Sequence, residues 1–330
     1  MNWEGKRVLV TGGGGFIGSH LVQRLVGMKT KVSAFLRYNS RSDEGLLKLF
    51  PSQTRSQIKV IFGDLQELET VEKAMKEIDV VFHLGALVGI PYSYLHPREV
   101  FEVNTGGTLN ILTAAKEEGV ERIVHTSTSE VYGTARYIPI DEKHPLQAQS
   151  PYSASKIAAD KMAESFYRSY GLPVATIRPF NAYGPRQSAR AVIPTIITQA
   201  LTKDEISLGV VSPTRDFTFV SDTVDGFIKV AESPNALGEV INVGSGYEIS
   251  IGELAQKIIS LVGKKDVEIK SEEKRFRPTK SEVERLWADN TKARELIGWQ
   301  PQVTLEEGLK RTIAWISESL DLYDPEAYRI

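Results

Sequence analysis

Tyr152 and Lys156 stand four apart in Ser150-Pro151-Tyr152-Ser153-Ala154-Ser155-Lys156, a spacing that puts a phenol and an ammonium on one face of a helix. A free tyrosine, with a pKa of about 10, is a poor base near neutrality, but an adjacent ammonium favours its phenolate, so the pair can move a proton. Just upstream, Ser127-Thr128-Ser129-Glu130 adds hydroxyls and a carboxylate. Near the start, Thr11-Gly12-Gly13-Gly14-Gly15-Phe16-Ile17-Gly18 follows an apolar run and opens a helix. Gly12, Gly15 and Gly18 permit a tight turn and close backbone approach, and the free N–H groups of the helix N-terminus then favour a phosphate. That strand-turn-helix setting is the one a dinucleotide site needs, although the spacing is not Gly-x-Gly-x-x-Gly and a flexible turn is the plain alternative. A phosphate cradle, a proton-moving pair and an extra carboxylate point to nicotinamide-dependent hydrogen transfer that goes beyond simple oxidation.

The elements that must position these groups follow a βαβ rhythm. Apolar runs at 8–10, 31–36, 58–62, 80–84, 122–126 and 174–177 read as strands buried on both faces, separated by amphipathic stretches starting near Phe16, Glu67, Pro97 and Tyr152. Several of those stretches end near Gly27, Gly119 or Gly171, as helices do. The fold class implied is α/β, a doubly wound parallel sheet of Rossmann type with a smaller α/β lobe. Prolines 179, 185, 194 and 213 break the pattern into shorter segments, and helix-like stretches return at 251–261, 291–296 and 304–317. A helix over 220–231 and a strand over 239–243 are expected to rejoin the sheet. The expected division is therefore 1–180 with 216–243 as the dinucleotide-binding domain, and 181–215 with 244–330 as the second lobe. The charge-rich stretch 270–284 reads as a mobile surface loop.

Bulk properties exclude several other classes. With 40 basic and 42 acidic side chains among 330 residues, no net field favours nucleic acid or an anionic membrane. There is no cysteine, which removes disulfides, thiolate metal sites and a thiol nucleophile, and the five histidines show no metal-ligand spacing, so no metal is expected. No apolar run reaches the roughly 18 residues of a membrane span, and no signal-peptide pattern precedes the first strand, so the expected location is cytoplasmic.

The cofactor can be read further from the end of the second strand, where an acid would hydrogen-bond ribose hydroxyls and repel a 2′-phosphate. Arg37-Tyr38-Asn39-Ser40-Arg41 stands there instead, which favours NADP over NAD, with NAD left open because an arginine after a strand is commonplace. Gly63-Asp64-Leu65, after the third strand, is placed to contact adenine, and its alternative is a strand-end Asx turn.

Taken in order, the glycine turn, Asp64-Leu65, Leu84-Gly85-Ala86, Asn104, Tyr152/Lys156, Arg178-Pro179-Phe180-Asn181-Ala182-Tyr183-Gly184-Pro185-Arg186 and Arg215-Asp216-Phe217-Thr218-Phe219-Val220-Ser221-Asp222 resemble an extended short-chain dehydrogenase/reductase of the nucleotide-sugar epimerase/dehydratase superfamily. Thr128-Ser129-Glu130-Val131-Tyr132-Gly133, Arg277-Pro278-Thr279 and Asp289-Asn290-Thr291-Lys292-Ala293 are similar to 4,6-dehydratases, both of GDP-mannose and of the shorter legionaminic-type pathways that act on UDP- or GDP-GlcNAc. Lys280-Ser281-Glu282-Val283-Glu284 departs from the GDP-mannose pattern.

The resemblance implies a tightly bound, recycled NADP or NAD. It would be held by Gly12, Gly15, Phe16, Ile17, Gly18, Arg37, Asp64, Leu65, Leu84, Gly85 and Ala86 together with Tyr152 and Lys156. It implies an internal redox cycle on a nucleotide-linked hexose. Tyr152 takes the C4 hydroxyl proton as C4 hydride leaves, Thr128 hydrogen-bonds that oxygen, and Lys156 holds the ribose and tunes the tyrosine. Glu130 removes the C5 proton so that the 6-hydroxyl departs as water, and Ser129 relays a proton. Thr128 and Glu130, two apart, would project together if the strand pairing extends that far; a solvated strand-end carboxylate is the alternative for Glu130. Asn181, Arg186, Arg190, Arg215 and Arg277 are the implied substrate anchors, guanidinium suiting a diphosphate. A UDP-glucuronate-type decarboxylase, for which Arg190 could hold the carboxylate, a 4-epimerase, and a nonenzymatic NADP-binding protein remain open. In related enzymes the helix from Tyr152 joins a four-helix interface, and its Ile157, Ala158, Met162, Ala163, Phe166 and Tyr167 fit a homodimer, with core packing as the alternative.

Overall fold

The computed structural model describes residues 1–265 and 267–323; the tail of the expected second lobe, 324–330, lies outside them. Its strands are β1 (Arg7–Thr11), β2 (Lys31–Arg37), β3 (Ile58–Gly63), β4 (Val80–His83), β5 (Arg122–Thr126), β6 (Val174–Pro179), β7 (Asn181–Tyr183), β8 (Glu205–Leu208), β9 (Thr214–Phe219), β10 (Val240–Val243), β11 (Glu248–Ser250) and β12 (Glu268–Ser271). Seven of them form one parallel sheet in the order β10-β6-β5-β4-β1-β2-β3. Period-2 alternation feeds two cores. Val8, Val10, Val80, Phe82 and Val124 face one layer of helices, and Leu9, Val81 and Ile123 face the other. The order reverses between β1 and β4, so the carboxyl ends of these two strands bound the crevice where such sheets bind ligands. The helix Val220–Glu232 and β10 pack with the large sheet. β7, β9 and β11 make a three-stranded mixed sheet beside it, and β8 pairs with β12.

Caps and prolines explain the helices that matter here. Ser150 and Ser153 form a reciprocal capping box at the start of Pro151–Tyr170, with Pro151 in the first turn, and Gly171 ends the helix in the left-handed conformation. Val192–Thr202 is a helix despite Pro194, because a proline in the first turn gives up an N–H that has no intrahelical partner. The single helix expected from Pro97 is instead Pro97–Phe101, a π turn Glu102–Gly106, and Gly107–Glu118. The π turn holds Asn104, whose side chain bonds the Leu87 backbone through both its groups and Ser155 Oγ at 3.0 Å. The stretch 270–284 is no free loop: it carries the end of β12 and two short turns, and Ser281 bonds Tyr94 Oη at 2.6 Å. Two buried carboxylates of β9 and the following helix staple the lobes. Asp216 accepts from Ser245 N and Oγ, Gly246 N and Ala288 N, and Asp222 from Gln302 N and Val303 N.

Candidate active site

The glycine turn closes against the neighbouring strand end. Gly12 has a φ of 68°, and a Cβ there would stand 3.0 Å from Gly85 N; a Cβ on Gly18 would stand 2.2 Å from Gly12 O. The helix Phe16–Gly27 begins on Gly15 with no side-chain cap and no acid in its first turn, leaving its leading amides to an outside anion. Thr11 Oγ1 accepts Gly85 N at 2.9 Å and meets His83 Nδ1 at 2.8 Å, while His83 Nε2 meets Thr108 Oγ1 at 3.0 Å. Since the Thr108 proton goes to Asn104 O, the neutral Nε2–H tautomer of His83 satisfies every partner, and burial holds its pKa well below the usual range. This cradle of bare backbone fits a dinucleotide pyrophosphate. Leu65 is buried under Gly85 and Gly107, Leu84, Ala86, Phe16 and Ile17 are half-buried, and Asp64 also accepts Gln66 N in an Asx turn. Arg37 is exposed and its guanidinium is 3.5 Å from Glu99, which also accepts the Tyr92 hydroxyl. The guanidinium offered to a 2′-phosphate is thus already matched by a carboxylate.

Thr128, Ser129, Glu130 and Tyr152, expected to be catalytic, meet beyond the end of β5, with a geometry different from the expected strand extension. β5 stops at Thr126, and Ser129–Tyr132 is a tight 3₁₀ turn with Thr128 as its cap, accepting Glu130 N at 3.2 Å. The cap, rather than period-2 alternation, brings the two side chains within reach of Tyr152. The Thr128 hydroxyl is near enough to the Tyr152 phenol to favour its phenolate, and Glu130 is close enough to act electrostatically on both Tyr152 and Arg215. Ser129 is buried beside them. Burial pushes the Tyr152 pKa up, against the nearby Thr128 hydroxyl, with Glu130 and Asp160 adding to the rise. The Lys156 ammonium donates to Thr126 O at 2.6 Å. Burial lowers the Lys156 pKa to about 8 against the pull of Asp160.

Asp160, one turn beyond Lys156, escaped the sequence reading. It accepts from His125 Nε2 at 3.1 Å, Ser127 Oγ at 2.7 Å and Arg178 Nη2 at 2.8 Å. Burial pushes its carboxyl up, but the His125 hydrogen bond and the Arg178 guanidinium outweigh that and hold it below the ordinary range. Arg178 also donates to Tyr132 Oη at 2.9 Å, and burial raises that phenol to about 12. The Lys-x-x-x-Asp spacing was the available signal.

The substrate anchors divide. Arg215, buried, and Arg277, half-buried, converge on Glu282 Oε1 at 3.2 and 3.6 Å. Glu282 comes from the segment that departs from the GDP-mannose pattern and went unread for that reason. Asn181 Oδ1 is buried without a partner, an acceptor left for a ligand. Arg186 does not join them. Its guanidinium bonds Gln23 Oε1 at 2.9 Å and His20, and lies over the Phe50 ring, so it packs on the Phe16–Gly27 helix. Arg190 is exposed, near Tyr92 rather than Arg215.

A family model described as GDP-mannose 4,6 dehydratase matches residues 9–312. The chain belongs to the extended short-chain dehydrogenase/reductase superfamily of nucleotide-sugar epimerases and dehydratases. A UDP-glucose 4-epimerase of Mycolicibacterium smegmatis is 37% identical, covering 93% of this chain and 97% of that protein. A UDP-N-acetyl-alpha-D-glucosaminuronate decarboxylase of Bacillus cytotoxicus is 36% identical over 95% of this chain and 98% of its own. The solved DesIV, a dTDP-glucose 4,6-dehydratase from Streptomyces venezuelae with NAD and TYD bound, superposes with a TM-score of 0.86 at 28% identity, covering 97% of this chain and 99% of that one. This superfamily member is therefore a nucleotide-sugar-modifying enzyme whose relatives divide among three activities. No helix among its described residues is long and apolar enough to cross a membrane.

Proposed function

We propose that the protein is a nucleotide-sugar 4,6-dehydratase that converts an NDP-hexose, UDP-GlcNAc or a GDP-sugar, to the 4-keto-6-deoxy product. The observation that carries this reading is Glu130, a carboxylate close enough to act electrostatically on both Tyr152 and Arg215. A 4-epimerase has no use for a second base there. The bound nicotinamide dinucleotide would supply the acceptor, and later the donor, of an electron pair with its hydrogen. Gly12, Gly18 and the first amides of the Phe16–Gly27 helix would hold its phosphates, and Tyr152 and Lys156 its nicotinamide end.

Tyr152 removes the C4 hydroxyl proton, with the Thr128 hydroxyl donating to the phenolate oxygen. The 4-ketone acidifies C5–H. Glu130 takes that proton and gives it to the departing C6 hydroxyl, which leaves as water. A proton re-enters at C5, balancing the one Tyr152 removed, as C6 is reduced. Arg215 and Arg277 exchange Glu282 for the substrate diphosphate, and Asn181 accepts a hydrogen bond from the sugar nucleotide. For the cofactor we infer NAD over NADP, because Glu99 offsets Arg37 and the similar DesIV holds NAD. Apolar side chains exposed on neighbouring helices, Leu95 at 62% and Phe101 at 54%, with half-buried Ala158 alongside, support a homodimer through this face; Tyr167 instead packs on Gly238.

The test is incubation of the purified protein, without added cofactor, with UDP-GlcNAc, GDP-GlcNAc, GDP-mannose, dTDP-glucose and UDP-glucuronate, read by mass. Loss of water from one hexose is expected. Loss of carbon dioxide from UDP-glucuronate alone means a decarboxylase, and an isomer of unchanged mass an epimerase. Glu130→Gln should retain the first oxidation and lose at least about 100-fold in dehydration; undiminished 4-keto-6-deoxy product ends the elimination role.

A further inference from the structure

The turn that presents Thr128 and Glu130 is weakly held from within. Ser129–Tyr132 is a single 3₁₀ turn, and its backbone bonds are long, 3.5 Å from Val131 N to Thr128 O and 3.3 Å from Gly133 N to Glu130 O. On one side Gln147 braces it, donating to Val131 O from its backbone N at 2.8 Å and to Tyr132 O from Nε2 at 3.1 Å. On the other side both ends are tied to one buried ion pair. At the leading end the Ser127 hydroxyl donates to Asp160 Oδ2 at 2.7 Å. At the trailing end the Tyr132 hydroxyl accepts from Arg178 Nη1 at 2.9 Å and donates to Asn242 Oδ1 at 2.7 Å. Arg178 reaches the same Asp160 oxygen with Nη2 at 2.8 Å and Nε at 3.2 Å. Ser127, Tyr132, Asp160, Arg178 and Asn242 are each at most 5% exposed. The sheet order β10-β6-β5 accounts for the arrangement. Ser127 N bonds Ile177 O of β6, and Arg178 pairs in register with Asn242 of β10, so the chain from 127 to 132 leads from β5 across the Arg178 guanidinium to β10.

We propose that the Asp160–Arg178 pair is a clasp that positions Thr128 and Glu130, with Ser127 and Tyr132 as the two points it grips. Stability alone does not call for such a pair, since apolar side chains of similar volume often serve a core as well as buried charges do. They could not grip two hydroxyls. The planar guanidinium sets Nε and Nη2 on the carboxylate and Nη1 on the phenol at once, so one rigid group fixes the separation of Asp160 Oδ2 and Tyr132 Oη. Asp160 is itself kept from swinging, because His125 Nε2 meets its other oxygen at 3.1 Å. With both ends of the turn fixed, the side chains between them are fixed too. Asp160 and Arg178 are therefore positioning residues, acting through the turn. The consequence for turnover rests on the roles proposed above for Thr128 and Glu130; the clasp itself does not.

Hydrogen exchange on the full-length protein, read by mass spectrometry, reports on the clasp without any reaction. Tyr132→Phe keeps the ring and removes the gripped hydroxyl, and Arg178→Lys keeps the charge but cannot reach both partners. In each variant, exchange over 127–133 should rise at least about 10-fold while the helices Gly107–Glu118 and Leu305–Glu318 stay as in wild type. A rise absent from either variant overturns the proposal, as does an equal rise in those two helices, which would mark a general loosening of the fold. Should Arg178→Lys fail to fold, Tyr132→Phe decides alone. With a nucleotide sugar that the wild type converts, kcat of Tyr132→Phe should fall at least about 10-fold and KM should stay within about threefold. An unchanged kcat beside a loosened turn overturns the positioning role. A wild-type protein that converts no nucleotide sugar would refute the proposed activity, and the exchange result would still decide the clasp.

Discussion

Replacing Thr128 with valine removes one hydroxyl with two separable duties while keeping the shape of the side chain. As a donor it is near enough to favour charge on the Tyr152 oxygen; as an acceptor it caps the 3₁₀ turn through Glu130 N at 3.2 Å. A hydrogen bond to a charged oxygen contributes about 1.5–3 kcal/mol, so a phenolate deprived of it should form with a penalty equal to roughly 10- to 150-fold in turnover. The lost cap costs about 1 kcal/mol of stability and appears in unfolding, not in rate. Because the hydroxyl opposes the effect of burial on Tyr152, the variant's pH profile should also move to higher pH, making the deficit greatest on the acid side. Thr128→Ser keeps the hydroxyl and should stay within a few-fold of wild type. The assay is kcat against pH for the wild type and for the Thr128→Ser and Thr128→Val variants, with urea midpoints run in parallel. A valine variant with wild-type kcat, or a deficit equal at every pH, would refute the reasoning.

Three further outcomes follow from the geometry. Gly18→Ala puts a Cβ 2.2 Å from Gly12 O, and the helix must lift off the turn; NAD affinity by calorimetry should fall at least about 10-fold, and an unchanged Kd would end the phosphate role of this turn. Glu99→Gln frees Arg37, so the ratio of NADP to NAD affinity should rise about 10-fold, and a ratio that stays put removes Glu99 from cofactor choice. Half-buried His20, with a pKa lowered to about 4, and buried His83 and His125, also lowered, stay neutral when folded, whereas the unfolded chain takes up protons below about 6.5. Their stability is present above that value and lost as pH falls toward the folded values. Asp216, raised to about 6, works in the opposite sense and returns part of it. Urea unfolding at pH 5.5 should show a native state roughly 1–3 kcal/mol less stable than at pH 7.5, and equal midpoints would contradict the burial argument.

The seven strands of the large sheet were legible because a parallel sheet covered on both faces demands predominantly apolar runs, and β1 to β6 and β10 all have them. The smaller elements were not. β7, β9 and β11 are three to six residues long and carry polar groups for stapling or for the site, such as Asn181, Arg215, Asp216 and Glu248, so neither period nor hydrophobicity marks them. Pro194 reads as a breaker in sequence because its place in the first turn is visible only once the helix start is known. The π turn at 102–106 has a tertiary cause, the three bonds of Asn104, and no local signature.

Spacing identifies which residues share a face, but not which neighbour a charged group answers. Tyr152 and Asp160 are equally four residues from Lys156, and helix geometry alone favours neither. Burial decides it. An ammonium with no water around it must find an acceptor, and β5 supplies Thr126 O, while Asp160 is held by donors of β5 and β6. A buried phenol has the reverse need, a donor, and the capped turn delivers the Thr128 hydroxyl to it. The two halves of the Tyr-x-x-x-Lys motif are thus satisfied by different strand-end groups, and the 3₁₀ turn that serves the tyrosine is the same one that presents Glu130. A chain that lengthened β5 into the regular alternation expected from Thr128 and Glu130 would lose the cap, and with it the approach of carboxylate to phenol on which a dehydration would depend.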